Sequence, residues 1–479
     1  MAALELQGKF CLAGYLSTRI VRQHTTHQDA PFRQLCRQVK EHLDDSLNRV
    51  DSAEFLQLQH EAIIGKRGAQ TTFKRLISEF LRRELLDDVP YPPYYASLTE
   101  GVFEKLYGLG PLSHWFRQPQ LQSAEVNGTA ILYQRGAGKE LQDFHYESLD
   151  EVQTLITRLT MRDASTQVNE FAPFEELEME NGTRVTIWVP PVTPHPILVF
   201  RKYPFRVFTF AEEARHHTVD GTPEAQEWLQ LLAAPLLNVV ISGPKNSGKT
   251  TLAKVWYHYR PPHYQTATVE RDMYEIRLTQ DFRDRAAWIK PFRLTEAQIR
   301  DFLPGLLRSD CKWIFFPEVR SVEVDLAFGA AEQGFPVLMT FHATDVVNMP
   351  GTMARRVIDA YPHRSFLSEY LRIGRTLDLV VRMEELPDGT KILESIDAIV
   401  FDDLTNTVTI HPWMRYDYND HHWHYRFDVP ASLAKRLHRE LGSQYARFIE
   451  LFSRLAQQQP LIADVLRPDL NVFVQREVR

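Results

Sequence analysis

Residues 243–250 read Gly-Pro-Lys-Asn-Ser-Gly-Lys-Thr and follow, after Ser242, the apolar run Leu236-Leu237-Asn238-Val239-Val240-Ile241. A strand, a glycine loop and a helix start in that order make a phosphate-binding loop. Gly243 and Gly248 let backbone N–H groups close round an anion, and the next helix presents the positive end of its dipole. The candidate nucleotide contacts are Gly243, Pro244, Lys245, Asn246, Ser247, Gly248, Lys249, Thr250 and Thr251. Lys249 is placed to reach the β- and γ-phosphates and the Thr250 hydroxyl to ligate Mg²⁺, so ATP and Mg²⁺ are the expected ligands.

Two later segments supply polar groups at strand ends. Trp313-Ile314-Phe315-Phe316-Pro317-Glu318 reads as a buried strand that ends in a carboxylate, and Glu318 is the candidate base that orients or deprotonates an attacking water. Val337-Leu338-Met339-Thr340-Phe341-His342 repeats the pattern with an imidazole. His342 is thereby a candidate sensor of the γ-phosphate, although a lone histidine more often serves packing. His421-His422-Trp423-His424 reads instead as a solvated hairpin tip, because Asn419-Asp420 precedes it.

The elements around these groups indicate an α/β protein of several domains. At 479 residues the length allows about three cores. A net charge of −7 gives no global positive field, so no direct nucleic-acid partner is expected. Three scattered cysteines, Cys11, Cys36 and Cys311, contain no C-x-x-C pair and fit a reducing cytoplasm. No apolar stretch approaches the ~20 residues of a membrane span, and residues 1–14 lack a basic leader, so any membrane association is expected to be peripheral.

Helical periodicity at Leu35, Val39, Leu43 and Leu47, and at Phe73, Leu76, Ile77, Phe80, Leu81 and Leu85, predicts an N-terminal helical bundle over 1–89. Val89-Pro90-Tyr91-Pro92-Pro93 predicts a linker. An α+β domain is expected over 96–205, where Asn127-Gly128 and Asn181-Gly182 turn between strands and Val152, Leu155, Ile156 and Leu159 mark a helix. The nucleotide domain is expected over 223–479 and ends in a hairpin and a helical stretch, 432–459.

In order and content these motifs resemble the secretion ATPases of type II and type IV secretion and of type IV pili, most closely the tight-adherence pilus assembly branch. Tyr107-Gly108-Leu109-Gly110-Pro111-Leu112 and Glu125-Val126-Asn127-Gly128 are similar to the opening of that family's N-terminal domain. Asn181-Gly182-Thr183-Arg184-Val185, Val199-Phe200-Arg201-Lys202, Glu318-Val319-Arg320 and Thr340-Phe341-His342-Ala343 resemble its later boxes. So does Asp378-Leu379-Val380-Val381 with Leu386-Pro387-Asp388-Gly389-Thr390-Lys391.

The resemblance implies a RecA-like P-loop fold behind a PAS-like N-terminal domain. It also implies ATP hydrolysis, homohexamers and an integral inner-membrane platform partner, with the enzyme on the cytoplasmic face. It gives Glu270 of Thr268-Val269-Glu270 a role around Mg²⁺ and its water, and casts Arg184 and Arg201 as guanidinium donors to phosphate. Glu275 would be a second acidic-box residue, Arg308 a nucleotide or neighbour contact. Three departures from the family pattern stand out: Arg271 replaces an aspartate, Asp310 replaces an arginine, and Pro317 replaces a glycine, where it removes one N–H and stiffens φ.

Other functions compatible with the motifs are a conjugative secretion ATPase, a pilus retraction motor, a small-molecule kinase on the same loop, and a nucleotide-binding regulatory subunit with little turnover. The strand-rich region before the loop and the lack of an acceptor lid argue against the kinase.

Overall fold

The computed structural model describes residues 30–47, 52–63, 65–135, 138–160, 168–179, 181–202, 208–272, 276–343 and 345–468. The chain divides into two compact units, residues 1–204 and 205–479. Glu275 and Cys11 lie outside the described residues.

In the first unit the helix Ala30–Leu47 buries Leu35, Val39 and Leu43, and the helix Arg67–Arg83 buries Phe73, Ile77, Phe80 and Leu81, as the 3.6-residue period requires. Leu85 lies past the helix end and is exposed. Tyr95, Leu98, Val102, Phe103 and Tyr107 share this helical core, so the proline-rich stretch expected as a linker joins elements packed on one another. A separate core lies under a six-stranded antiparallel sheet. Its strands are β1 (Ser123–Asn127), β2 (Ala130–Arg135), β3 (Gly138–His145), β4 (Phe174–Glu178), β5 (Arg184–Trp188) and β6 (Ile197–Arg201), in the order β3-β2-β1-β6-β5-β4. Asn127-Gly128 turns β1 into β2, and Gly182, at φ +83°, turns β4 into β5. The helix Leu149–Thr160 covers the core face with Val152, Leu155, Ile156 and Leu159.

The second unit is built on a nine-stranded sheet. Its strands are β7 (Val239–Ser242), β8 (Thr266–Arg271), β9 (Ile289–Leu294), β10 (Trp313–Val319), β11 (Val337–Phe341), β12 (Leu379–Glu385), β13 (Lys391–Asp402), β14 (Thr407–Asp417) and β15 (His422–Tyr425). The order is β15-β14-β13-β12-β7-β11-β10-β8-β9; the run from β12 to β9 is parallel and the three strands beyond β12 are antiparallel. β7 is buried on both faces, with Val239 and Ile241 in one apolar layer and Val240 in the other. This explains its unbroken apolar sequence.

The C-terminal helices Ala431–Leu441 and Tyr445–Gln458 break at Gly442 (φ +54°), and Phe452 stacks on Trp228 at 4.9 Å. At the β14–β15 turn Asp420 and His422 are exposed; His424 Nε2 lies 2.8 Å from Asp420, with Asp417 close by. Hydrogen bonds within the turn account for this cluster. No described helix is long and apolar enough to cross a membrane.

Candidate functional site

The strands β7, β11, β10 and β8 are consecutive parallel neighbours. Their carboxyl ends therefore lie along one edge of the sheet, the edge where open α/β sheets bind ligands. The phosphate loop follows β7, His342 follows β11, Glu318 is the penultimate residue of β10 and Glu270 that of β8. Four groups separated by up to 99 residues in sequence are thus brought to one edge.

The loop takes three positive φ values, at Gly243 (+145°), Asn246 (+68°) and Gly248 (+91°). A Cβ on Gly243 would stand 2.2 Å from the carbonyl oxygen of Met383 on β12, so glycine is required by the backbone of a neighbouring strand as well as by φ. Gly248 caps the helix Lys249–Tyr259 in a left-handed conformation. Lys249 is buried and its ammonium donates to the Pro244 carbonyl at 2.5 Å, which folds the side chain back into the loop. Burial pushes its pKa down to about 8, and the negative charge of Glu318 only partly counters this. Ser247 is buried and donates to the same carbonyl, while Lys245 and Asn246 are exposed and Pro244, Thr250 and Thr251 are half-buried.

Glu318 faces basic groups. Arg320 Nε and a terminal guanidinium nitrogen meet its two oxygens at 3.0 and 3.2 Å, and His342 Nε2 is 3.7 Å away. Burial alone would raise the carboxyl pKa, but the Arg320 hydrogen bonds and charge, with His342 and Lys249, outweigh it and the net shift is downward. Burial and the Lys249 charge push His342 down, against the pull of Glu318, which favours neutral imidazole at pH 7.

Pro317 costs β10 no ladder bond. Pairing with β8 ends at Phe315, and the register with β11 shifts between Phe316 and Val319, so the proline occupies a bulge. Its carbonyl accepts a hydrogen bond from the buried Thr340 hydroxyl. Glu270 is 4% exposed and one of its oxygens accepts the Ile276 N–H at 2.9 Å. Arg271 spans from the end of β8 to Glu323 (3.2 Å), which is buried and also accepts the Arg320 and Ser321 N–H groups. Arg271 and Glu323 fasten two strand ends together. The departure at Arg271 hid this role in the sequence, although an acidic residue in the first turn of the helix Val322–Glu332 was a visible capping signal.

A helix N-terminus behind a loop of positive-φ residues fits an anion, and the hydroxyl of Thr250 with the carboxylates of Glu270 and Glu318 offers the hard oxygen donors that Mg²⁺ takes. Arg184 and Arg201 belong to the first unit. They face each other in register on β5 and β6, on the sheet face opposite Val185 and Phe200, and Glu178 stands opposite Arg184 on β4. Lys202 is committed elsewhere: it donates to the Trp115 and Gln118 carbonyls at 2.7 and 2.6 Å. Arg308 is exposed at the end of the helix Leu303–Leu307.

The family described as "Type II/IV secretion system protein" matches residues 147–409, just over half of the chain, and the chain belongs to it. The second unit has the RecA-like α/β fold expected of that family. An uncharacterized protein of Methanocaldococcus jannaschii, MJ0900, is 26% identical over 61% of this chain and 54% of its own, so the chain spans about half the length of that relative. Protein VirB11 of Agrobacterium fabrum is 23% identical over 44% of this chain and 72% of its own. Among solved structures, the Legionella pneumophila ATPase DotB is 14% identical over 74% of this chain and 92% of its own, with a TM-score of 0.44.

Proposed function

We propose that this chain is a Mg²⁺-dependent ATP hydrolase that works as a ring, most simply a hexamer. On the cytoplasmic face of a membrane it would drive pilus assembly or protein secretion through an integral membrane platform. One observation carries the catalytic part: a phosphate loop, a carboxylate at 318, an imidazole at 342 and a buried carboxylate at 270 stand at the ends of four neighbouring parallel strands. In this reading Lys249 leaves the Pro244 carbonyl for the β- and γ-phosphates. Glu318 orients the water for in-line attack, and Glu270 and Thr250 hold the metal's oxygen shell. Bound Mg²⁺ would neutralise phosphate charge. Arg184 and Arg201 are proposed to add guanidinium groups in the assembled enzyme. The ring, the platform and the pilus branch rest on family resemblance. Phosphate release by wild type, Lys249→Ala and Glu318→Gln tests the chemistry, and light scattering tests the ring.

A second reading has support of its own. Glu318 is held by Arg320 on both oxygens and follows a proline, which suits a subunit that binds nucleotide and turns it over slowly. Nucleotide binding without phosphate release in wild type would favour it.

A further inference from the structure

The strand ends on either side of the β12–β13 hairpin lie against the two glycines of the phosphate loop, Met383 at Gly243 and Lys391 at Gly248, and this brings a second lysine to the loop. The hairpin turns at Leu386-Pro387-Asp388-Gly389-Thr390, closed by Leu386 N–H to Thr390 C=O at 2.8 Å, so Lys391 is the first residue of the return strand. A Cβ built on Gly248 would lie 3.3 Å from Lys391 Cδ and 3.7 Å from its Cβ, with Met383 Cε at 3.4 Å. The aliphatic stem of Lys391 therefore runs across the residue that immediately precedes Lys249. Because Gly248 has no side chain, that stem can rest on the loop backbone. The ammonium is only two bonds beyond Cδ, so its reach includes the loop backbone round Gly248, where such loops cradle the α- and β-phosphates.

We propose that Lys391 is a nucleotide-binding residue, a cation delivered by the β12–β13 hairpin to the α/β-phosphate side of a bound nucleoside di- or triphosphate. Lys249 approaches phosphate from within the loop and Lys391 from the hairpin beside Gly248. The assignment rests on the nucleotide-site reading. A purely structural role competes with it: Glu385 is the register partner of Lys391 across the hairpin, and an ion pair between them would stabilise the turn without touching ligand. The two roles differ in what removing the charge does.

The experiment measures ADP binding by calorimetry in the full chain for wild type, Lys249→Ala, Lys391→Met and Lys391→Arg, with thermal unfolding of each. Methionine keeps an unbranched stem on Gly248 and removes only the charge. The expected result is a Kd for ADP raised about tenfold in Lys391→Met, the loss of one phosphate-facing charge-assisted contact, and restored to within about threefold in Lys391→Arg, with unfolding midpoints unchanged. If Lys391→Met binds ADP as wild type does while Lys249→Ala does not, Lys391 serves the hairpin alone and the assignment falls. If wild type fails to bind ADP, the nucleotide-site reading falls and takes the assignment with it.

Discussion

Arg320 grips both carboxylate oxygens of Glu318 from two residues away, at 3.0 and 3.2 Å. A carboxylate so engaged is fully ionised at neutral pH, but its lone pairs are occupied and its proton affinity is low. The group proposed to activate water is therefore restrained by its own neighbour, which casts Arg320 as a tuning residue in that reading.

Glu318→Gln keeps the size and most hydrogen-bonding capacity of the side chain but removes its basicity. It should retain ATP while hydrolysis falls by roughly a hundredfold or more. Trapping of labelled nucleotide alongside phosphate release checks this. Normal turnover would move the water-orienting role to Glu270.

Arg320→Gln removes the hydrogen bonds and charge that hold the Glu318 carboxyl below its ordinary value. A base works when ionised, so activity is lost as pH falls through its pKa. Wild type should therefore keep its rate to a lower pH than Arg320→Gln, whose acid limb should move upward. Superimposable profiles for the two proteins would count against the tuning role.

Lys249 gives a second pH signature, of opposite sign. Its free-state pKa is pushed down to about 8 by burial, and phosphate binding requires the ammonium. Affinity for ADP should be level below pH 8 and then fall by roughly tenfold per unit as the free lysine loses its proton, with proton uptake on binding above that pH. Calorimetry in buffers of different ionisation enthalpy measures both quantities. An affinity flat to pH 10 would show that Lys249 keeps its ordinary pKa or does not meet phosphate.

The phosphate loop, the strand before it and the carboxylate and imidazole strand ends were legible because each is local. Their chemistry lies within eight contiguous residues or at the end of one apolar run. Both Asn-Gly turns of the first unit were legible for the same reason. What closes on them was not. Met383 reaches Gly243 and Lys391 reaches Gly248 across more than 130 residues, through strand neighbours that no periodicity encodes. Pro317 read alone as a lost donor; the bulge that accommodates it depends on a partner strand 20 residues on. The proline-rich stretch at 89–93 has a linker's composition, yet Tyr95 beyond it packs on Phe32 with ring centroids 5.8 Å apart. Composition marks where a chain turns, and only tertiary packing says whether both sides share a core.

Gly243→Ala tests the contact with β12 directly. The new methyl group meets a main-chain oxygen, which cannot rotate away, at a φ of +145° that alanine avoids. Strain of roughly 1–3 kcal/mol is expected, relieved by displacement of the loop. ADP binding should be lost and the unfolding midpoint should drop by several degrees. Unchanged binding would mean that the loop is free to shift off Met383.

The last prediction concerns Arg184 and Arg201. Adjacent strands hold them in register on one sheet face, so two guanidinium groups are presented side by side. Like charges directly opposite one another cost stability, and an anion placed between them would offset that cost. Arginine suits the task because its planar fork holds phosphate oxygens bidentately and stays charged at any working pH. Arg184→Ala or Arg201→Ala should therefore lower steady-state ATPase rate at least tenfold without unfolding the protein. The midpoint of Arg201→Ala should stay level or rise slightly because a repulsion is removed, whereas Arg184→Ala also gives up the carboxylate of Glu178 opposite it on β4 and should gain nothing. Wild-type turnover per subunit should rise with protein concentration as rings assemble, followed by light scattering on the same samples. Full activity in both variants would return these residues to plain surface charge, and turnover from a protein that scatters as a monomer at every concentration would defeat the ring.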